Sequence, residues 1–470
     1  MSNGHVLPFA SFVVGIMLCA SAPEVACGQG SEAGEGRSVR ASLAEEENAP
    51  AATAEAASRF RIGLQAKVSF RNSRAEEFPL EFPFPPDFIP PGETQVYMRT
   101  PDAGRSLEVS SVALSADADF TPSLAARLAI LGLDLYNRNP TSMQDRLFLR
   151  EAWIRLGRAD EPLRPLPGST FFVQIGKASR FSRQANRQLE SYGLWGTAIG
   201  RFEQTQIQAG GSLGSHVYFR LHVANGNPLL MRDPNALAGD NGTPERVPGN
   251  VHPIYQSGFP ILYDTHESDV NFDDRFEVGG GLGARFAAAG SGHGVDILGW
   301  YFERQLEDAA PIRGSFYQGD LELLRGAGIP LATSGRDKIE YGLNAMARLG
   351  SFRLFAQGVR QEIAGLPRAG FEAELSAHFA LPGLLASGDQ PLLTWVRPVV
   401  RYSQIDNDFS APPKFVAPSF AWDWKKLDVG LRVGIIREVD VTVEYTLHDV
   451  TTERGKLHPD ELLVTLRCGI

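Results

Sequence analysis

Cysteine is nearly absent: three in 470 residues, with Cys19 and Cys27 in or beside an N-terminal apolar run. Cys468 is left alone in the remainder, which excludes an intramolecular disulfide framework and a cysteine-based metal cluster. An excess of basic residues is missing too. The formal charge is −10, and half of that excess sits in the first 58 residues, where seven acids face two bases; nucleic acid is therefore not the expected partner. Helical periodicity never holds for long, and no catalytic constellation is present. The nine histidines show no metal-ligand spacing. "GGGLG" at Gly279 lacks the Lys-Ser/Thr and the following helix of a phosphate-cradling loop, so its glycines are expected only to leave room on one face of a strand. "YDTHESDVNFDD" offers Asp264, Asp269 and Asp273 for calcium, although a solvated charge run is the plainer reading. "DNGT" at Asn241 fits a glycosylation acceptor but carries no weight here. No enzyme, cofactor or metal centre is expected.

What is present begins with "VLPFASFVVGIMLCASA" followed by "PEVACGQG", an apolar run with small residues at Ala26 and Gly28. This reads as a secretory signal peptide over residues 1–28, cut after Gly28, although His5 stands where a positively charged segment is usual. A membrane anchor fits less well because the run is short for a spanning helix. A lipoprotein signal on Cys27 is disfavoured by Glu24, which occupies an aliphatic position of that motif. Residues 29–58 are poor in large apolar side chains and read as a flexible spacer.

From residue 59 to 470 the dominant signal is period two. Phe60, Ile62, Leu64, Ala66, Val68 and Phe70 alternate with Arg61, Gly63, Gln65, Lys67, Ser69 and Arg71, a strand with one oily face. Comparable segments recur to the end, about sixteen of them, most with roughly the nine to thirteen residues a tilted strand needs to cross a bilayer. Their connections alternate in length. Tight links fall at Thr121, Gly211, Ala288, Gly350 and Ile436, and long ones over Asn72–Gly104, Ala178–Ile199, Asn225–Asp273, Leu306–Asp337 and Gln404–Asp423, with middling links near Pro162 and Leu384. The fold expected is all-β: an antiparallel up-and-down transmembrane β-barrel with short periplasmic turns and long external loops. The ending "LLVTLRCGI" keeps its alternation to Ile470, as a last strand must if it pairs with the first and leaves no open edge in hydrocarbon. A soluble sandwich, propeller or solenoid would bury ions such as Glu372, Glu374, Asp428 and Arg432 in a core, whereas a water-filled lumen hydrates them.

On the inward faces this alternation places Arg61, Lys67, Arg220, Arg285, Arg348, Arg397, Arg401, Arg432 and Arg467 against Glu277, Asp296, Glu340, Glu372, Glu374, Asp428, Asp440 and Glu444. Both signs line the wall, as in pores that sort solutes by charge; a merely hydrated wall is the plain alternative. His216, His222 and His378 are expected to be solvated wall residues. The third long loop, "GKASRFSRQANRQLESYGLWG", gathers Lys177, Arg180, Arg183 and Arg187 around one acid, Glu190. Folded into the lumen it would make an anion-attracting constriction, and left outside it would bind lipid phosphate.

"LREAWIRLG", "FFVQIGKASRFSRQ" and "YFRLHVANGNP", with the leader and spacer, resemble the bacterial phosphate-selective porin O and P family over most of the chain after Phe60. The resemblance implies a sixteen-stranded homotrimeric barrel in the bacterial outer membrane, bounded by lipid and lipopolysaccharide and passing small solutes by diffusion. Its arginine ladder and lysine cluster have no residue-by-residue counterpart here, and the chain ends in Ile470 where outer-membrane barrels usually end in an aromatic. The expected function is passive diffusion of small hydrophilic solutes or ions, with an anion preference. The rivals are a transporter for a bulky or apolar compound, with Phe78, Phe82, Phe84 and Phe88 of the proline-rich loop as a lid, and a plugged barrel acting through its large Asn225–Asp273 loop.

Overall fold

A computed structural model of the chain describes residues 60–133, 147–195, 203–226, 275–287, 293–306, 326–381 and 385–470, apart from a few positions within these ranges. The leader and spacer, Phe88, Asn241 and the Asp264–Asp273 stretch lie outside the described residues.

The strands are β1 (Phe60–Ser73), β2 (Gly104–Thr121), β3 (Leu124–Leu133), β4 (Leu147–Gly157), β5 (Thr170–Ser179), β6 (Glu203–Leu213), β7 (Val217–Ala224), β8 (Glu277–Ala287), β9 (Gly294–Gln305), β10 (Asp337–Leu349), β11 (Phe352–Ile363), β12 (Leu366–Ala377), β13 (Trp395–Asn407), β14 (Asp423–Ile436), β15 (Val439–Thr452) and β16 (Glu461–Gly469). Each pairs antiparallel with its chain neighbours, and the pieces Phe379–Ala380 and Gly455–Leu457 extend two of them. Closure comes from β16 on β1. Gln65 faces Gly469 and Ser73 faces Glu461 with no slip between, and Leu64 and Ile470 exchange backbone hydrogen bonds of 3.0 and 2.9 Å. No edge remains in the main sheet, which is the condition for a sheet surrounded by hydrocarbon, where each unpaired backbone group costs several kcal/mol. The fold is a closed sixteen-stranded antiparallel barrel.

Alternation decides the two faces. On β1, Ile62, Leu64 and Val68 point outward and stay exposed, while Gln65, Lys67, Ser69 and Arg71 point inward. The outer face remains apolar around the circumference, from Leu128 and Ile154 through Ile207, Leu282 and Leu343 to Val429 and Leu466. Exposed phenylalanines mark the short-turn rim, at Phe60, Phe120, Phe171, Phe286, Phe352 and Phe379. Tyr301 and Tyr341 pair across β9 and β10 toward the other end. Aromatic girdles flanking an apolar band are the signature of a barrel in a membrane.

Three links break the length rule, one of them the β4–β5 link over 158–169 at the short-turn end. Ala364–Gly365 joins β11 to β12 at the long-loop end with only two residues, both at positive φ, 50° and 76°, the geometry of a type I′ hairpin. At the opposite end, the link from β12 to β13 is long enough to carry its own hairpin, Leu385–Ser387 against Gln390–Leu392.

Candidate functional site

The inward wall is not the hydrated surface that its charges suggest. Glu372, Arg401, Lys426 and Asp428 are almost fully buried, because the segment that follows β5, Arg180–Trp195, crosses the lumen and its described residues, 180–183 and 187–195, are bound to the wall.

At its start, the Arg180 guanidinium spans two strands: Nε donates to Glu277 on β8 at 2.9 Å and Nη1 to Glu340 on β10 at 3.1 Å. The same group lies 4.5 Å over the Phe302 ring. The Ser182 carbonyl accepts from Asn344 at 2.7 Å and Gln357 at 2.9 Å, and Arg183 pairs with Glu203 on β6. Arg187 turns back into the segment, stacked 3.5 Å over Tyr192 with Nε donating to the Leu189 carbonyl.

Farther along, wall carboxylates take backbone amides. The N–H of Gln188 donates to Glu374 at 3.0 Å, those of Glu190 and Ser191 to the two oxygens of Glu444 at 2.9 and 2.6 Å, and that of Trp195 to Glu372 at 3.1 Å. Cations take the carbonyls: Arg401 donates to Ser191 at 2.7 Å and Lys426 to Tyr192. The Glu190 carboxylate reaches Lys67 on β1 at 2.8 Å. The segment therefore touches wall strands from β8 around to β1. Hydrogen bonds of this kind contribute on the order of 1 kcal/mol each, and four amides held this way describe a fixed obstruction.

Wall glycines make room for it. A Cβ on Gly370 would enter the Trp195 indole, one on Gly430 the Leu189 side chain, and one on Gly281 the Phe181 ring. Behind the segment the charges compensate one another. Arg401 meets Asp428 at 3.0 Å and Glu374 at 3.3 Å, Lys426 meets Asp428 at 3.0 Å, and Asp440 holds Arg432 and Arg467, each at 2.9 Å.

The structure thus brings Arg180, Arg183 and Arg187 together in the lumen, each with an acid partner. Lys177 does not join them. It pairs with Thr205 next to the outward pair Ile175 and Ile207, so the period of the strand turns it away from the lumen. Arg220, Arg348, Arg397, Arg401, Arg432, Glu340, Glu372 and Glu374 all lie on inward faces; Arg397 donates to Gln188 and His378, and Arg220 to the backbone of Asp160. His222 is not solvated: it is buried between Gln204 and Glu277.

Sequence reasoning missed Lys426, which shares the inward period of Asp428 and could have been found by it, and Asp160. The latter sits in the β4–β5 turn without periodic signal, yet accepts from Arg285 and from the Leu166 N–H at 3.2 Å.

Among the described residues, less buried inward charges include Asp119, Arg127, Glu151 and Arg155 on β2–β4 and Arg61 at the short-turn rim, while Asp117 beside them is buried. Arg127 pairs with Asp117 at 2.9 Å and Glu151 at 2.6 Å, and Arg61 pairs with Asp119 at 3.5 Å. Arg155, Arg348 and Arg353 are also half-exposed. The wall there is lined by small side chains, with Ser111, Ala113, Ser115, Ala125 and Ala129 inward.

No family profile matches the chain, that of the phosphate-selective porin O and P family included, and no curated protein is significantly similar in sequence. Among solved structures the chain is similar to OprB of Pseudomonas putida at high pH, with 9% identity over 87% of this chain and 94% of that one and a TM-score of 0.48. It is also similar to the outer membrane channel DcaP of Acinetobacter baumannii, 9% identical over 87% and 97% with a TM-score of 0.44. An anion-selective porin from Comamonas acidovorans is 9% identical over 87% and 100%, with a TM-score of 0.42.

Proposed function

We propose that the protein is an outer-membrane channel of porin type, through which small hydrophilic solutes pass down their gradients, and that the Arg180–Trp195 segment is its constriction. One observation carries this reading: a closed barrel with an apolar outside and a charged inside is narrowed by a segment held across its lumen. An exposed apolar belt of this extent needs lipid as solvent. Export by the 1–28 leader would bring the chain to a bacterial outer membrane, with lipopolysaccharide around its long loops. The homotrimer is carried over from the family resemblance.

The solute path runs along β2–β4, where several inward charges are less buried. The acids beside Arg180, Arg183 and Arg187 cancel much of the anion attraction those arginines would supply. Arg155 on this path faces Asp117, Asp119 and Glu151, so the modest preference for anions rests on Arg348 and Arg353, which project from β10 and β11 at the short-turn rim where the path ends.

The test is the single-channel conductance and the reversal potential in a salt gradient, measured on refolded protein in a planar bilayer. Stable steps with a small anionic reversal potential are expected. A folded, heat-modifiable barrel that never conducts would overturn the reading in favour of a plugged surface-interaction protein.

A further inference from the structure

At the long-loop end the inner wall turns from charged to apolar. Trp424 on β14, Ile405 on β13, Val450 on β15 and Leu366 on β12 all face inward, are buried, and form one cluster with Trp422 from the loop before β14. Leu306, Ile329 and Leu331 of the β9–β10 link, Phe415 of the β13–β14 link and Trp195 of the crossing segment belong to it as well, and the proline-rich link between β1 and β2 adds a further part. Its hairpin, Glu77–Pro79 against Tyr97–Arg99, brings Phe78, Leu80 and Val96 into the same cluster. Phe78 meets Trp422 edge-on, with ring centroids 4.6 Å apart. On the water side an exposed ion pair, Arg454 with Glu81, ties the link to the loop between β15 and β16, and the Arg454 guanidinium sits 5.5 Å over the Phe78 ring.

The barrel wall does not need this cluster, since its ladders close without it. What the cluster does is cover an apolar patch inside the mouth with side chains of the chain itself, Phe78 being the one that meets the Trp422 ring. A purely hydrophilic solute that displaced this cover would leave two apolar faces in water and supply nothing in return. A solute carrying an aromatic ring could take the place of Phe78 against Trp422, recovering the edge-on contact and the buried area.

We propose that the mouth is a binding site for solutes that join an aromatic ring to a hydrophilic remainder, with the Phe78 hairpin as a built-in competitor for the site. The channel then favours such solutes over purely hydrophilic ones of equal or smaller size. This rests on the channel reading above and names its substrate class.

The test is liposome swelling with phenyl β-D-glucoside and methyl β-D-glucoside, which share the sugar and differ in the ring. Rates in protein-free liposomes are subtracted. Wild-type protein should admit the phenyl glucoside at least as fast as the smaller methyl glucoside. In Phe78→Ser/Leu80→Ser the cover is weakened, and methyl glucoside entry should rise by roughly tenfold, about the effect of one buried apolar side chain; its rate should then exceed that of the phenyl compound. Trp422→Ser, which leaves the hairpin sequence intact, should also abolish the phenyl advantage. Faster methyl glucoside entry in the wild type, unchanged by these variants, overturns the proposed site while leaving the channel standing. Swelling with neither sugar in any form overturns the channel and the site together.

Discussion

Gly370 shows how one residue governs the lumen. It has no side chain, and the Trp195 indole occupies the volume a Cβ would need. Gly370→Val is therefore expected to push Trp195 off the wall, with an overpacking cost of about 1–3 kcal/mol borne by the crossing segment; larger or noisier single-channel steps from a barrel with unchanged heat-modifiability would show it. Glu444 makes the complementary case. Its two oxygens hold the amides of Glu190 and Ser191, and Glu444→Gln keeps the shape but leaves one acceptor oxygen where two are used. About 2 kcal/mol of latching should be lost, read as open-state fluctuations in bilayer recordings that the wild type lacks. Residue type and period were enough to place Glu444, Glu372 and Glu374 inward. What the sequence could not reveal is that backbone amides of a segment some 180 to 250 positions away in the chain would use them. Lys177 failed for a different reason: read as part of a loop, it is the third residue from the end of β5, where its face is set by the strand.

Strands were the most readable elements. A period of two needs only local sequence, and a lipid-facing side must be apolar whatever the far side does. The pairing of the last strand with the first also followed from general physics, because an open edge is not tolerated in hydrocarbon. Val464 stands between Phe70 and Val443 in that closing pair of ladders. Val464→Pro removes a ladder donor in a strand that has no edge side, and the expected outcome is loss of the heat-modifiable band on cold gels. Turns were less readable. Ala364–Gly365 lacks the Asn-Gly or Asp-Gly pair that signals a type I′ hairpin, so its two-residue link at the long-loop end had no local mark. The inward course of Arg180–Trp195 was open in the sequence between a lumen filter and a lipid-binding loop, since a basic loop can serve either.

At the scale of the molecule, charge is distributed unevenly around the lumen. From β10 around to β1 most wall ions are buried under the crossing segment and satisfy one another, while several on β2–β4, and Arg348 and Arg353 at the short-turn rim of β10 and β11, are less buried. Selectivity should follow these less buried charges. Arg155→Gln combined with Arg348→Gln is expected to move the reversal potential toward cations with little change in conductance, while Arg183→Gln, whose charge is paired with Glu203, should move it less. A larger shift from Arg183→Gln would place the selective charge on the crossing segment instead.

The sequence by itself determined the barrel: the strands, the apolar outside, the charged inside and the need for closure. Each of these depends on a two-residue period or on the solvent around the chain, and both are local properties. Only the tertiary structure decided what fills the lumen. Whether a charge on the inner wall meets water, an ion of opposite sign or a backbone amide depends on which distant segment lies above it, and the mouth became apolar because Phe78 and Trp422, far apart in the chain, are brought ring to ring.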